Sequence, residues 1–142
     1  MARRRAVQGD AGREQQLKKV LDDMARVEVV INGAKELAST SPAAAWEKVE
    51  KEAKLFPNDP ELSKLRADLG IQASEFVTAI ERGRQHEEKK QTGSALAWYL
   101  KARRMHPPSE MAQAAIKRLV TVVRAGDQPP ADAAPASALE NK

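Results

Sequence analysis

Apolar residues recur along this chain at intervals of three and four. From Gly12 onward, Leu17, Leu21, Met24, Val27, Ile31, Ala34 and Ala38 follow that spacing, so all seven share one side of a helix about 25 residues long. Glu28 and Lys35 take the opposite side. Ser39-Thr40-Ser41-Pro42 stops this helix and starts another: Ser41 is a good N-cap, and Pro42 stands at the first helical position, where its missing N–H costs nothing. The next pattern predicts a short helix over 42–56. Its apolar face is Ala45, Trp46, Val49, Ala53 and Phe56, with Lys48, Glu50, Lys51, Glu52 and Lys54 expected in solvent.

Pro57 ends that helix, Asp59 caps the next and Pro60 takes its first position. The new stripe is Leu62, Leu65, Leu69, Ala73, Phe76, Ile80, Gly83 and Glu87. Gly70 invites a break, since glycine costs about 1 kcal/mol against alanine inside a helix. The stripe passes Gly70 in phase, however, and so predicts one long helix over 60–90. Gln91-Thr92-Gly93-Ser94 reads as a turn, followed by a second short helix over 93–105 with Ala95, Leu96, Trp98, Tyr99 and Ala102 inside. Pro107-Pro108 ends it. Ser109 caps a last helix over 109–125, whose apolar face holds Met111, Ala112, Ala115, Ile116, Leu119, Val120 and Val123. The expected fold is all-α: two long–short antiparallel helical hairpins and a C-terminal capping helix, without a sheet. The helical domain is expected over 13–125, between a disordered basic lead-in over 1–12 and an Ala/Pro-rich disordered tail over 126–142.

Composition agrees with helices packed through small side chains. Aromatics are only 4% of the 142 residues, so a sheet built on aromatic and β-branched residues is not expected. The chain has no cysteine, which excludes disulfides, thiolate metal sites and cysteine nucleophiles within it. No apolar run reaches the roughly 20 residues of a membrane-spanning helix, and no apolar stretch follows the basic start as in a signal peptide. The compartment stays open, with the cytoplasm the first expectation. Arg3, Arg4, Arg5, Arg13, Lys18 and Lys19, set against Asp10 and Glu14, carry the whole net charge of +4. The rest of the surface is balanced.

A shift of fifty residues aligns the chain with itself. Gly33 falls on Gly83, Ala45 on Ala95, Val49 on Tyr99 and Pro57 on Pro107. These are the small residues and helix stops that a helical hairpin needs. The segment 76–107 resembles a tetratricopeptide repeat. Gly83, Ala95, Tyr99, Ala102 and Pro107 stand at that family's spaced small, aromatic and proline positions. The segment 26–57 is a degenerate copy that keeps Gly33, Ala45 and Pro57 but has Val49 and Glu52 at the aromatic and second alanine positions. The fifty-residue period exceeds the family's, which is about 34 residues, and the excess falls over 60–75. The resemblance implies close packing of Gly83 against the short helix, with Gly83→Ala near neutral and Gly83→Leu and Ala95→Leu destabilising. It also implies a non-catalytic protein-interaction scaffold. The family's groove is lined by the first helix of each hairpin, which makes Arg84, Glu87 and Glu88 the candidate partner-binding residues here.

The remaining chemistry is sparse. His86 and His106 have no second ligand at metal spacing, and His86 reads as a hairpin-packing residue. Asp22-Asp23, Glu50/Glu52 and Glu87-Glu88 are carboxylate pairs with basic neighbours, expected in solvent rather than in a catalytic pocket. Trp98 is a further candidate contact, since it points about 100° away from the core aromatic Tyr99. No enzyme activity, metal or cofactor is expected. Arg82, Arg84, Lys89, Lys90, Lys101, Arg103 and Arg104 give the second hairpin a basic cast, which suits an acidic protein or peptide partner. The second reading is a basic accessory subunit that contacts nucleic acid or a ribonucleoprotein.

Overall fold

A computed structural model describes residues 2–127, with side chains over 10–126. It is all-α. Six helices are present, with no strand among the described residues: α1 (Ala2–Ala38), α2 (Pro42–Leu55), α3 (Pro60–Gln72), α4 (Ser74–Glu88), α5 (Thr92–Met105) and α6 (Glu110–Asp127). The expected tail over 126–142 lies outside the described residues apart from Gly126 and Asp127, which continue α6. The chain divides between Gln72 and Ala73 into two compact units.

The single helix expected over 60–90 is two helices. Ala73, at φ −109° and ψ 37°, leaves the helical region between α3 and α4, and its carbonyl accepts from Val77 N–H at 2.9 Å. Gly70 is not the breaker. It lies inside α3, and a Cβ there would meet the Trp46 indole nitrogen at 3.8 Å, so it is a packing surface. An in-phase stripe reports spacing only. The break follows from partners: α3 packs on α2, and α4 packs on α5. The second hairpin is therefore not long–short, since α4 and α5 have 15 and 14 residues. At the other end, α1 starts at Ala2 and takes in most of the expected lead-in. Extending an established helix adds a hydrogen bond per residue without a new nucleus, and Ala, Arg and Gln all propagate well.

In the first unit, α2 lies against both α1 and α3. Its burial runs well round the helix: Ala45, Trp46, Glu47, Val49, Glu50 and Glu52. Glu50 and Glu52 were expected in solvent and are buried. Each has an arginine from a neighbouring helix. Arg66 of α3 pairs with Glu50, and Arg26 of α1 holds Glu52 through two bonds of 2.6 and 3.2 Å. A carboxylate enters a core only when so neutralised. Hydrogen bonding to Glu52 also raises the pKa of Arg26.

In the second unit α5 is the shared helix, against α4 and α6. Its core comprises Phe76, Ala79 and Ile80 of α4, Ala95, Tyr99 and Ala102 of α5, and Ala112, Ala115 and Leu119 of α6. The element boundaries of the two units repeat at the fifty-residue offset. Ala38 and Glu88 end the first helices, and Pro42–Leu55 matches Thr92–Met105. Phe56 and His106 close the second helices, donating to the Glu52 and Ala102 carbonyls. Asp59 Oδ1 accepts from Leu62 N–H and Ser109 Oγ from Ala112 N–H, capping α3 and α6. The fifty-residue period is thus a three-helix unit. The extra residues form a third helix rather than a longer first one, and α6 is the counterpart of α3.

Candidate functional site

Glu87 was expected to face a partner. It is instead the polar centre of the second unit. Its carboxylate accepts from the Tyr99 hydroxyl of α5 at 2.9 Å and from the Arg118 guanidinium of α6 at 2.6 and 2.8 Å. One side chain of α4 thereby holds both other helices. Bonding to Arg118 depresses the Glu87 pKa, with Tyr99 and the nearby Arg84 acting in the same direction. Burial and the Glu87 charge push the Tyr99 phenol up to about 12, and Glu87 raises Arg118. Arg118 lies 31 residues from Glu87, so no local pattern pointed to it. Arg84 is half-buried and Glu88 exposed. The structure does not gather Arg84, Glu87 and Glu88 into one open surface.

Ala45, Ala95 and Ala102 are fully buried and Tyr99 nearly so. A Cβ on Gly83 would lie 2.8 Å from two atoms of the Tyr99 ring, so α4 and α5 meet there. A buried ring anchored at both ends cannot swing aside. The expected neutrality of Gly83→Ala is therefore corrected to a loss. Gly33, at the same position of α1, faces only the end of the exposed Lys48 side chain, whose Nζ would lie 2.7 Å from an added Cβ. Pro57 and Pro107 are exposed in their turns.

Both histidines have local duties. His86 Nδ1 is 2.6 Å from Oε1 of Gln91, the residue that precedes α5, and so braces the α4–α5 turn. The His106 ring meets Phe76 edge-on at 5.5 Å. No group of three or more His, Cys, Asp or Glu side chains is placed to hold a metal ion among the described residues. No helix of the described residues is long and apolar enough to cross a membrane.

Trp98 is the candidate that lines a cleft. It is half-buried on α5. The Arg82 guanidinium carbon, reaching from α4, lies 5.4 Å from its ring centroid, and Lys101 Nζ, one turn along α5, lies 5.2 Å from it. The three line a cleft of about 330 Å³ with Ser74, Glu75, Thr78 and Met105. An indole face flanked by two cations offers apolar contact and anion binding in one place. In the sequence, Trp98 and the basic residues stand apart. Arg82 and Trp98 are sixteen positions apart, and only the α4–α5 pairing joins them. Comparison of the chain with family models, with curated proteins and with solved structures finds no match.

Proposed function

We propose that this chain is a non-catalytic protein-interaction module of tetratricopeptide-like type, and that its second unit takes an acidic segment of a partner protein in the α4–α5 cleft. The observation that carries this reading is the Trp98 ring with both Arg82 and Lys101 beside it in one cleft. Aromatic and arginine side chains are the usual anchors of protein interfaces. The tetratricopeptide-like part rests on the matched positions and on the contact of Gly83 with Tyr99. The binding face differs from the one that the resemblance implied, because Glu87 is committed to Arg118 and Tyr99.

The two tryptophans allow a direct test. Trp46 is buried, so the difference in fluorescence between the parent and Trp98→Phe reports on the cleft. Titration with short acidic peptides containing one aromatic residue should shift that signal saturably. Arg82→Glu combined with Lys101→Glu should abolish the shift without loss of helix content. No response to the peptides overturns the assignment. Tight binding of an oligonucleotide instead, with affinity falling steeply as salt rises, transfers the function to the nucleic-acid reading.

A further inference from the structure

The cleft on the second unit has two unlike ends. Contacts between α4 and α5 fix their register: Arg82 lies over the Trp98 ring, and Phe76 meets His106. As the α4 number falls the α5 number rises, so the two helices are antiparallel. At the first level, the Arg82 guanidinium carbon and Lys101 Nζ lie 5.4 and 5.2 Å from the Trp98 ring centroid. At the second, Glu75 of α4 and Met105 of α5 line the same cleft. Glu75 is seven residues before Arg82, and Met105 seven after Trp98. Seven residues rise about 10 Å and return to within about 20° of the same side of a helix. One end of the cleft is therefore cationic and aromatic, and the other carries a carboxylate and a thioether.

Glu75 is exposed, and among the described residues neither it nor Arg82 nor Lys101 forms an ion pair. It stands in the first turn of α4, where the helix dipole favours a carboxylate. The dipole alone does not choose a side of that turn. Glu75 takes the side that carries Arg82 two turns on, and so shares the cleft. One carboxylate and two cations thus line a single cleft without neutralising one another.

We infer that Glu75 sets the specificity of this cleft, selecting a partner segment whose acidic residue meets Arg82 and Lys101 and whose basic residue, about 10 Å further along, meets Glu75. The inference rests on the acidic-segment reading of the cleft and names which acidic segments fit. In an extended segment, charges about 10 Å apart stand three residues apart. A uniformly acidic segment brings a carboxylate against Glu75 and is disfavoured. A nucleic-acid backbone, with a charge at every phosphate, meets the same repulsion. Building a like charge against the wrong ligand is one of the two ways a site discriminates, and attraction to the right one is the other. Glu75 supplies both.

Three peptides of one length test this on the full chain, followed by tryptophan fluorescence. Each carries the same glutamate and the same aromatic residue. Three positions from the glutamate they carry Lys, Ala or Glu, and each is made in both chain directions. In one direction the Lys peptide should bind tighter than the Ala peptide by up to about fivefold, the gain of one exposed ion pair. The Glu peptide should bind weaker than the Ala peptide. Glu75→Gln should remove the preference for Lys, and Glu75→Lys should make the Glu peptide the tightest of the three. Glu75 is exposed, so circular dichroism should show unchanged helix content in both variants. Equal binding of the three peptides to the parent overturns the inference and leaves the acidic-segment reading standing. So does a preference of the parent for the Glu peptide, or a preference for Lys that survives Glu75→Gln. No binding of any peptide overturns both.

Discussion

The two units share the bounds of their second helices and the side-chain caps of their third, yet they are held together by different chemistry at matched positions. In the first, Arg26 reaches Glu52 and lies 5.9 Å from the Phe56 ring centroid. Fifty residues on, the same three positions are Phe76, Ala102 and His106, and the ring contact there is Phe76 with His106. The Arg66–Glu50 pair between α3 and α2 is matched by the apolar residues Ile116 and Leu100. The reverse holds elsewhere. Glu87 and Tyr99, the polar centre of the second unit, correspond to Leu37 and Val49 in the first. Both solutions satisfy the same rule, that a polar group in a core brings its partner with it. The comparison teaches that substitutions at these positions come in sets. The single changes below separate the two units.

The largest difference should lie at the shared central position. Tyr99→Ala removes a buried ring and strands Glu87, and should cost about 3–5 kcal/mol by chemical denaturation. Val49→Ala, which opens a smaller hole and breaks no hydrogen bond, should cost clearly less. Equal losses would break the comparison.

The two glycines come next and differ in sign. Gly83→Ala drives a Cβ into the Tyr99 ring and should destabilise by about 1–3 kcal/mol, with Gly83→Leu and the buried Ala95→Leu at least as costly. Gly33→Ala displaces only the end of Lys48 and should stabilise by about 0.5–1 kcal/mol, the ordinary gain from removing a glycine inside a helix. Denaturation midpoints of the two alanine variants against the parent decide it, and a gain at both positions would remove the close approach from the account.

The Glu87 centre should give the second unit a pH signature of its own. Tyr99→Phe should cost about 1–2 kcal/mol near neutral pH through the lost bond to a carboxylate. The phenol is raised in the folded chain, so its contribution is complete below its ordinary value of 10 and is lost as pH climbs through about 12. Glu87 is depressed, so its contribution is present above the usual carboxylate range and is lost as pH falls through the lowered value. Tyr99 is the only tyrosine, so phenolate absorbance follows it alone. Titration at the ordinary value in the folded chain would contradict the buried contact with Glu87. Stability measured against pH in Tyr99→Phe should lack the alkaline loss and retain an acid loss from the Arg118 pair.

The smallest effect belongs to the turn. Lys90 takes φ 63°, the only positive φ of a residue other than glycine among the described residues. Gln91 N–H reaches back to the His86 carbonyl at 2.9 Å, closing α4 in a left-handed cap that glycine suits best. Lys90→Gly should gain up to about 1 kcal/mol. The matched Thr40 has no positive φ, and Thr40→Gly should bring no gain.

The local grammar of this protein is written in its sequence. The proline stops, the caps at Ser41, Asp59 and Ser109, the buried apolar positions Ala45, Trp46 and Val49 of α2, Ala95, Tyr99 and Ala102 of α5 and Ala112, Ala115 and Leu119 of α6, and the fifty-residue period are all set by dihedral preferences and spacing within a turn or two. That is why they could be read one residue at a time. The partners were decided elsewhere. Spacing could not tell that the stripe from Leu62 to Glu87 serves two cores and breaks at Ala73. It could not tell that Leu17, Leu21 and Met24 stay uncovered while Ile31 and Ala34 are buried. Nor could it place Glu50, Glu52 and Glu87 beside arginines up to 31 residues away, or Arg82 over Trp98. A helix fixes which residues share a face, through a hydrogen-bond pattern closed within itself. What that face meets depends on packing between helices distant in the chain, and there a charged residue is as well housed as an apolar one once its counter-charge arrives.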